Sequence, residues 1–110
     1  MPEPRLKAAL WVKAHIRICE VQGAQAFVVR RGDETAGIVL IKVNCLDGRA
    51  FVLEPATGPD GARRWTRLGK SETEADAEAA IARALKRDPD LWVLEIEDRD
   101  GRHFLTEPVN

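Results

Sequence analysis

The chain has no long apolar run. Its longest, the five residues Gly37 to Ile41, falls far short of the roughly 20 that a membrane-spanning helix requires. The opening stretch MPEPRLKAAL lacks the basic-then-apolar order of an export signal. Cysteine is scarce: Cys19 and Cys45 are the only two, and no CxxC pair is present. Without an export signal the two thiols are expected to be reduced and the protein to be cytoplasmic, with no membrane partner. Catalytic and cofactor signatures are missing too. There is no GxxxxGK[ST] phosphate loop, no GxSxG nucleophile turn and no HxxxH pair. No motif-defined enzyme class is left to argue from, and no cofactor is expected.

Charge of one sign is also absent, since 17 Lys and Arg stand against 18 Asp and Glu. That balance argues against a dedicated polyanion binder, so nucleic acid is not the expected partner. The charges are uneven along the chain. Residues 1–70 carry 12 basic and 7 acidic side chains, and residues 71–110 carry 5 and 11. Two halves that fold against one another would largely neutralise; a basic face for an anionic partner is the other reading. With 45% hydrophobic and 32% charged residues in 110, the composition fits one globular domain, residues 1–110, with a single core.

The periodicity predicts an α+β fold. In PRLKAALWVKAHIRICEVQG, Val12, Ile16 and Cys19 share a helical stripe with Ala8 and Ala9, and Gly23 supplies a stop; a helix is expected over about 12–22. The β-branched runs that follow predict an antiparallel meander: strands at about 25–31, 37–45 and 50–54, the last two joined by Asp47-Gly48 with both residues at positive φ. Gly32 and Gly37 read as turn glycines, and the RGD at 31–33 as a chance match at a strand end. A fourth strand is centred on Trp65 after the loop PATGPDGAR. SETE at 71–74 reads as a capping box opening a helix that ends at Asp88-Pro89.

The final stretch LWVLEIEDRDGRHF alternates, with Trp92, Leu94 and Ile96 on one side and Val93, Glu95 and Glu97 on the other. A three-residue loop RDG, with Gly101 left-handed, pairs Ile96 with Phe104, Glu97 with His103 and Asp98 with Arg102, and so hides the apolar half of a hairpin. The expected sheet then has about six strands, mainly antiparallel, with two helices packed on it.

Three candidate sites follow. Glu95, Glu97 and His103 would share one face, as an acid/base or metal-dependent site in which the carboxylates raise the His103 pKa, or as the wet face of an edge hairpin. His15 and Cys19, at i and i+4, are conceivable zinc ligands with Cys45 and His103, but the spacing matches no metal motif and no metal is expected. Arg30, Arg31, Arg63, Arg64, Trp65 and Arg67, together with Arg17 and Lys70, could bind a polyanion by stacking on Trp65, or could pack and pair within the fold.

The stretches LWVKAHIR (10–17), VVRRGDETAGIVLIKVNCLDG (28–48), RRW (63–65) and DPDLWVLEIEDRDGR (88–102) together resemble a family of short bacterial proteins, domain of unknown function 1491, over nearly the whole chain. The resemblance implies a cytoplasmic single-domain protein and brings no activity, cofactor or catalytic residue. Where members often carry a second basic residue after the position of Arg17, this chain has Ile18, which weakens a shared anion site there. The function expected is a non-catalytic binding or adaptor module that meets another protein, or a second copy through a sheet edge. The alternatives are the small enzyme built on Glu95, Glu97 and His103, and a weak polyanion binder around Trp65.

Overall fold

The computed structural model describes residues 6–110. Helix α1 (Ala8–Val21) is followed by strands β1 (Gln25–Arg30), β2 (Val39–Asn44), β3 (Ala50–Thr57) and β4 (Arg63–Arg67), helix α2 (Glu74–Arg87) and strand β5 (Trp92–Glu97). The α+β class is as expected. The sheet, however, has five strands in the order β1-β5-β2-β3-β4, and it is mixed. β5 runs parallel to β2, from Val39 opposite Trp92 to Asn44 opposite Glu97, and antiparallel to β1. The expected β1-β2 hairpin is therefore split by the last strand of the chain.

The reason lies in burial. Five of the six β5 residues are buried, which a wet-faced edge strand cannot achieve. Trp92, Leu94 and Ile96 join Val12, Cys19 and Leu53 beneath α1. On the other side Val93 packs with Leu40, Val52, Ala77, Ile81 and Ala84 of the α2 core. Small alanines on α2 let its axis lie close to the sheet.

Several local details differ from the sequence reading. α1 begins four residues earlier than expected, because the cap comes from another segment: the Ala8 and Ala9 amides donate to the carbonyls of Thr35 (3.2 Å) and Glu34 (3.0 Å). Gly23, at φ +89°, ends α1 as its position suggested. The α2 capping box is Thr73 with Asp76, while Ser71 is buried and its hydroxyl accepts from the Val52 amide at 3.1 Å. In the β2-β3 connection, positive φ falls on Leu46 and Gly48, not on Asp47, because the Asn44 carboxamide takes the Leu46 amide.

No sixth strand forms among the described residues. Gly101 is left-handed at φ +70°, and Asp98 meets Arg102 as predicted, but Phe104 also takes a positive φ of 60° and turns the chain away from β5. Residues 103–109 instead cross the α1 face, where Phe104, Leu105 and Val109 pack on the core. The chain then runs beside β4: the Trp65 amide donates to Pro108, and the Asn110 amide donates to Trp65, both at 2.9 Å.

The 31–38 connection is pinned where it crosses the start of β5. Trp92 Nε1 donates to the Asp33 carbonyl at 2.7 Å, and the Asp33 carboxylate accepts from Thr35 and Ala36. Gly32 and Gly37 are needed here for close approach and not for left-handed backbone. A Cβ on Gly37 would lie 2.7 Å from the Asp33 carbonyl oxygen and 2.8 Å from that of Asp90. Gly37→Ala is expected to destabilise the protein by about 1–3 kcal/mol, the usual range for overpacking against an unyielding neighbour. Urea denaturation checks this; an unchanged midpoint would mean that the loop moves freely.

Candidate functional site

β2 carries one charged side chain into the layer beneath α2. Lys42 alternates with Ile41 and Val43, so it points away from the α1 core, and it is only 2% exposed. Its ammonium meets three carboxylates: Glu78 of α2 at 2.6 Å, Glu74 of α2 at 3.2 Å and Glu95 of β5 at 3.2 Å. Lys42 and Glu95 stand opposite one another in the parallel register, and Glu74 and Glu78 are one helical turn apart on α2. Burial works against the ammonium. The hydrogen bonds to Glu78 and Glu74 and the charge of Glu95 outweigh it and hold the Lys42 pKa above its ordinary value. The cluster holds charge in a largely buried setting, with Glu74 and Glu78 still 53% and 61% exposed on their side chains. Sequence reading missed it, although a lone lysine in an apolar strand together with an i, i+4 glutamate pair was a usable signal.

Glu95 is therefore a structural partner on the α2 side of the sheet, and Asn44 Nδ2 reaches its other oxygen at 3.4 Å. Glu97, two residues on, borders an open recess with Gly23, Gln25, Leu46 and Asp98. His103 lies on the opposite side, where its carbonyl accepts from Nε2 of His15 on α1 at 2.9 Å. The structure thus separates His103 from the two glutamates, because the hairpin register that would join them does not form.

His103 is also perturbed in the direction opposite to the one expected. Partial burial lowers its pKa, and its Nδ1 accepts from the Leu105 amide at 2.9 Å, which requires that nitrogen to be unprotonated. His15 is 4% exposed and stacked on Trp11 at 4.9 Å between centroids. Burial lowers its pKa as well, against the opposing effect of its bond to the His103 carbonyl. The pair forms a neutral clasp that fastens residues 103–105 to α1.

The two cysteines are buried and free, and burial pushes the Cys19 thiol up to about 11. Among the described residues, no three His, Cys, Asp or Glu side chains come together as a metal-holding group. Both Cys19 and His15 are spent on packing and on the clasp.

The arginines fall into two groups. Arg30 ends β1 and Arg31 follows it, while Arg63, Arg64 and Arg67 lie on β4, at the other edge. Four strand spacings separate the edges, roughly 19 Å, about twice the screening length at physiological salt. Trp65 is 1% exposed, with Trp11 at 5.7 Å and the Arg63 guanidinium at 5.9 Å from its ring, so its faces are occupied. Arg31 lies over Trp92 and Arg67 over Phe51, at 5.3 and 4.4 Å, so these guanidinium groups cover aromatic rings of the fold.

Two outcomes test these arrangements. Lys42→Met leaves three carboxylates without their cation, and the variant is expected to lose about 3 kcal/mol at pH 7 and less at pH 4, where the carboxylates can protonate. Chemical denaturation at the two pH values measures it. For the clasp, both folded-state pKa values lie below the ordinary 6.5, so its stability is fully present above that pH and is lost as pH falls toward the lowered values. The melting temperature is expected to fall between pH 7.5 and 5.5. His15→Gln, which keeps a donor for the His103 carbonyl but cannot titrate, should shrink that fall; an equal fall in both proteins would remove the role of His15.

Comparison with known proteins adds no activity. A family model described as "Protein of unknown function (DUF1491)" matches residues 6–106. The crystal structure of a DUF1491 family protein from Caulobacter crescentus is similar at a TM-score of 0.89 and 50% identity, covering 96% of this chain and all of that one. An NMR structure of a DUF1491 family protein from the same organism gives 0.85 and 50%, covering 98% of this chain and 99% of that one. The solution structure of an A. tumefaciens protein gives 0.74 and 30%, covering 86% of each chain. Comparison with curated proteins returns no match. No helix among the described residues is long and apolar enough to cross a membrane. The shared fold over nearly the full length, together with the family match, places the chain in one group: it belongs to the DUF1491 family, whose function is unknown.

Proposed function

We propose that the chain is a non-catalytic protein-binding module whose contact surface is the outer edge of β1. The observation that carries this reading is the unequal treatment of the two sheet edges. β4 is accompanied by residues 108–110, whereas among the described residues β1 has a strand partner, β5, on one side only. On that outer strand Phe27, Val28 and Val29 are 42%, 37% and 55% exposed. An edge strand with an apolar surface can accept another extended segment through its outward amides and carbonyls, as in β-strand addition. The segment can come from another protein or from a second copy of the chain. The separation of His103 from Glu95 and Glu97 leaves the catalytic reading without a constellation of groups to perform it.

A bulge between Val28 and Arg30 breaks the β1-β5 register and leaves Val29 without a β5 partner, so Val29 tolerates change. Val29→Lys is expected to leave the melting temperature within about 2 °C of the parent, because exposed substitutions rarely exceed 0.5 kcal/mol. The same change should abolish partner capture by the tagged protein from lysate at both low and high salt. In parallel, sedimentation of the purified protein shows whether the bound segment is a second copy. Capture that is indifferent to Val29→Lys would rule out the β1 edge.

A further inference from the structure

Where the start of α1 meets the 35–38 connection, the end of β3 and the start of β4, the surface folds inward to a recess of about 470 Å³. Small-molecule sites occupy roughly 300–1,000 Å³, so the size is that of a ligand site. Strand register sets its position. β2 begins where antiparallel β3 ends, and Pro55 and Thr57 of β3 stand opposite Trp65 and Arg63 of β4. Val39, Pro55 and Arg63 alternate in phase with Ile41, Leu53 and Trp65 of the α1 core, so they present to the same side of the sheet. At about 30 Å³ for each water-sized group, a recess of this volume has room for roughly ten to fifteen non-hydrogen atoms.

The lining is mostly apolar. Ala8 and Val39 belong to it as buried residues, whereas Leu6 and Ile38 line it and remain 54% and 48% exposed. Large aliphatic side chains left to water around a concavity are surface that a guest can cover. Two cations line the same recess: Lys7, just before α1, and Arg63, whose guanidinium lies 5.9 Å from the Trp65 ring. No Asp or Glu side chain is among the lining residues, and among the described residues neither cation takes part in an ion pair. The acids of the adjoining turn are engaged elsewhere: the Asp33 carboxylate accepts from the Thr35 and Ala36 amides, and Glu34 meets Arg31 at 3.4 Å. The Ala8 and Ala9 amides of α1 are already given to the Thr35 and Glu34 carbonyls, so an anion here is left to the two side chains.

We infer that this recess binds a free aliphatic carboxylate of about eight to twelve carbons, its charge held by Lys7 and Arg63 and its chain laid beside Trp11 over Leu6 and Ile38. Both halves of the ligand are needed. A neutral hydrocarbon would draw two cations out of water with no counter-charge, and a polyanion would set most of its charge against apolar surface. One carboxylate on an aliphatic chain matches the cations and the lining together, and its length fills the volume. The recess lies on the β2-β3-β4 side of the molecule, away from the β1 edge, so the ligand site and the protein-binding edge stand or fall separately.

The test is an amide chemical-shift titration of the full chain with octanoate kept below its micelle concentration, with butyrate, octanol and octylammonium as controls. The expected result is saturable shifts at Trp11, Ile38, Ala56 and Arg63 with octanoate, weaker binding of butyrate and octanol, and none of octylammonium. The double variant Lys7→Gln, Arg63→Gln should bind octanoate roughly fivefold more weakly, as expected for two partly exposed charge pairs. Ile38→Glu sets a carboxylate into the lining at an exposed position, and should abolish binding while leaving amide shifts elsewhere unchanged. Octanol, octylammonium or butyrate binding as tightly as octanoate overturns the proposal, as do shifts confined to other surfaces or no saturable binding. Cosedimentation with anionic phospholipid vesicles that the double variant loses, without saturable binding of octanoate, assigns the recess to a lipid surface and overturns the free acid.

Discussion

A strand buried on both faces cannot keep a carboxylate in water, and β5 depends on Lys42 for that reason. Either charge alone in that layer would carry a desolvation penalty of several kcal/mol, so each needs the other. Their opposition in the parallel register fixes β5 against β2, since a one-residue slip would set Glu95 into the α1 core and remove its cation. Glu74 and Glu78 extend the same contact to α2, so one ammonium ties a helix to two strands. The ion cluster contributes specificity of register as well as attraction.

With β5 central, the end of the chain cannot continue as a hairpin partner, because both flanks of β5 are taken by β1 and β2. The Asp98 carboxylate receives the Arg102 amide and guanidinium, the left-handed Gly101 and Phe104 redirect the backbone, and residues 103–109 cross to the α1 side. There the two histidines fasten the segment, and its last residues occupy the outer side of β4. The consequence is an asymmetric sheet: the β4 edge is accompanied by residues 108–110, whereas among the described residues β1 has a strand partner on one side only.

The side chains singled out for acid/base or metal chemistry make structural contacts within the fold. His15 and His103 are committed to backbone hydrogen bonds, Cys19 is fully enclosed, and Glu95 neutralises a lysine. Arginines that looked available for phosphate lie over aromatic rings, where they shield apolar surface from water.

What the sequence determined by itself was local. The stop at Gly23, the alanine stripe of α2 with its end at Asp88-Pro89, the left-handed Gly101 with Asp98 reaching Arg102, and the two-faced character of each strand all follow from short-range sterics and periodicity. The α2 cap shifted by two residues because Ser71 had a better partner in the sheet, at the Val52 amide, than at the helix start. Tertiary structure alone decided that the last strand enters between β1 and β2. Alternation in LWVLEIE says which side chains share a face, yet it is blind to whether the second face is wet or covered. The cover came from α2 and from a counter-charge some fifty residues away, at Lys42. Strand order, the parting of His103 from Glu95, and the choice of which edge stays open are long-range outcomes of that single burial.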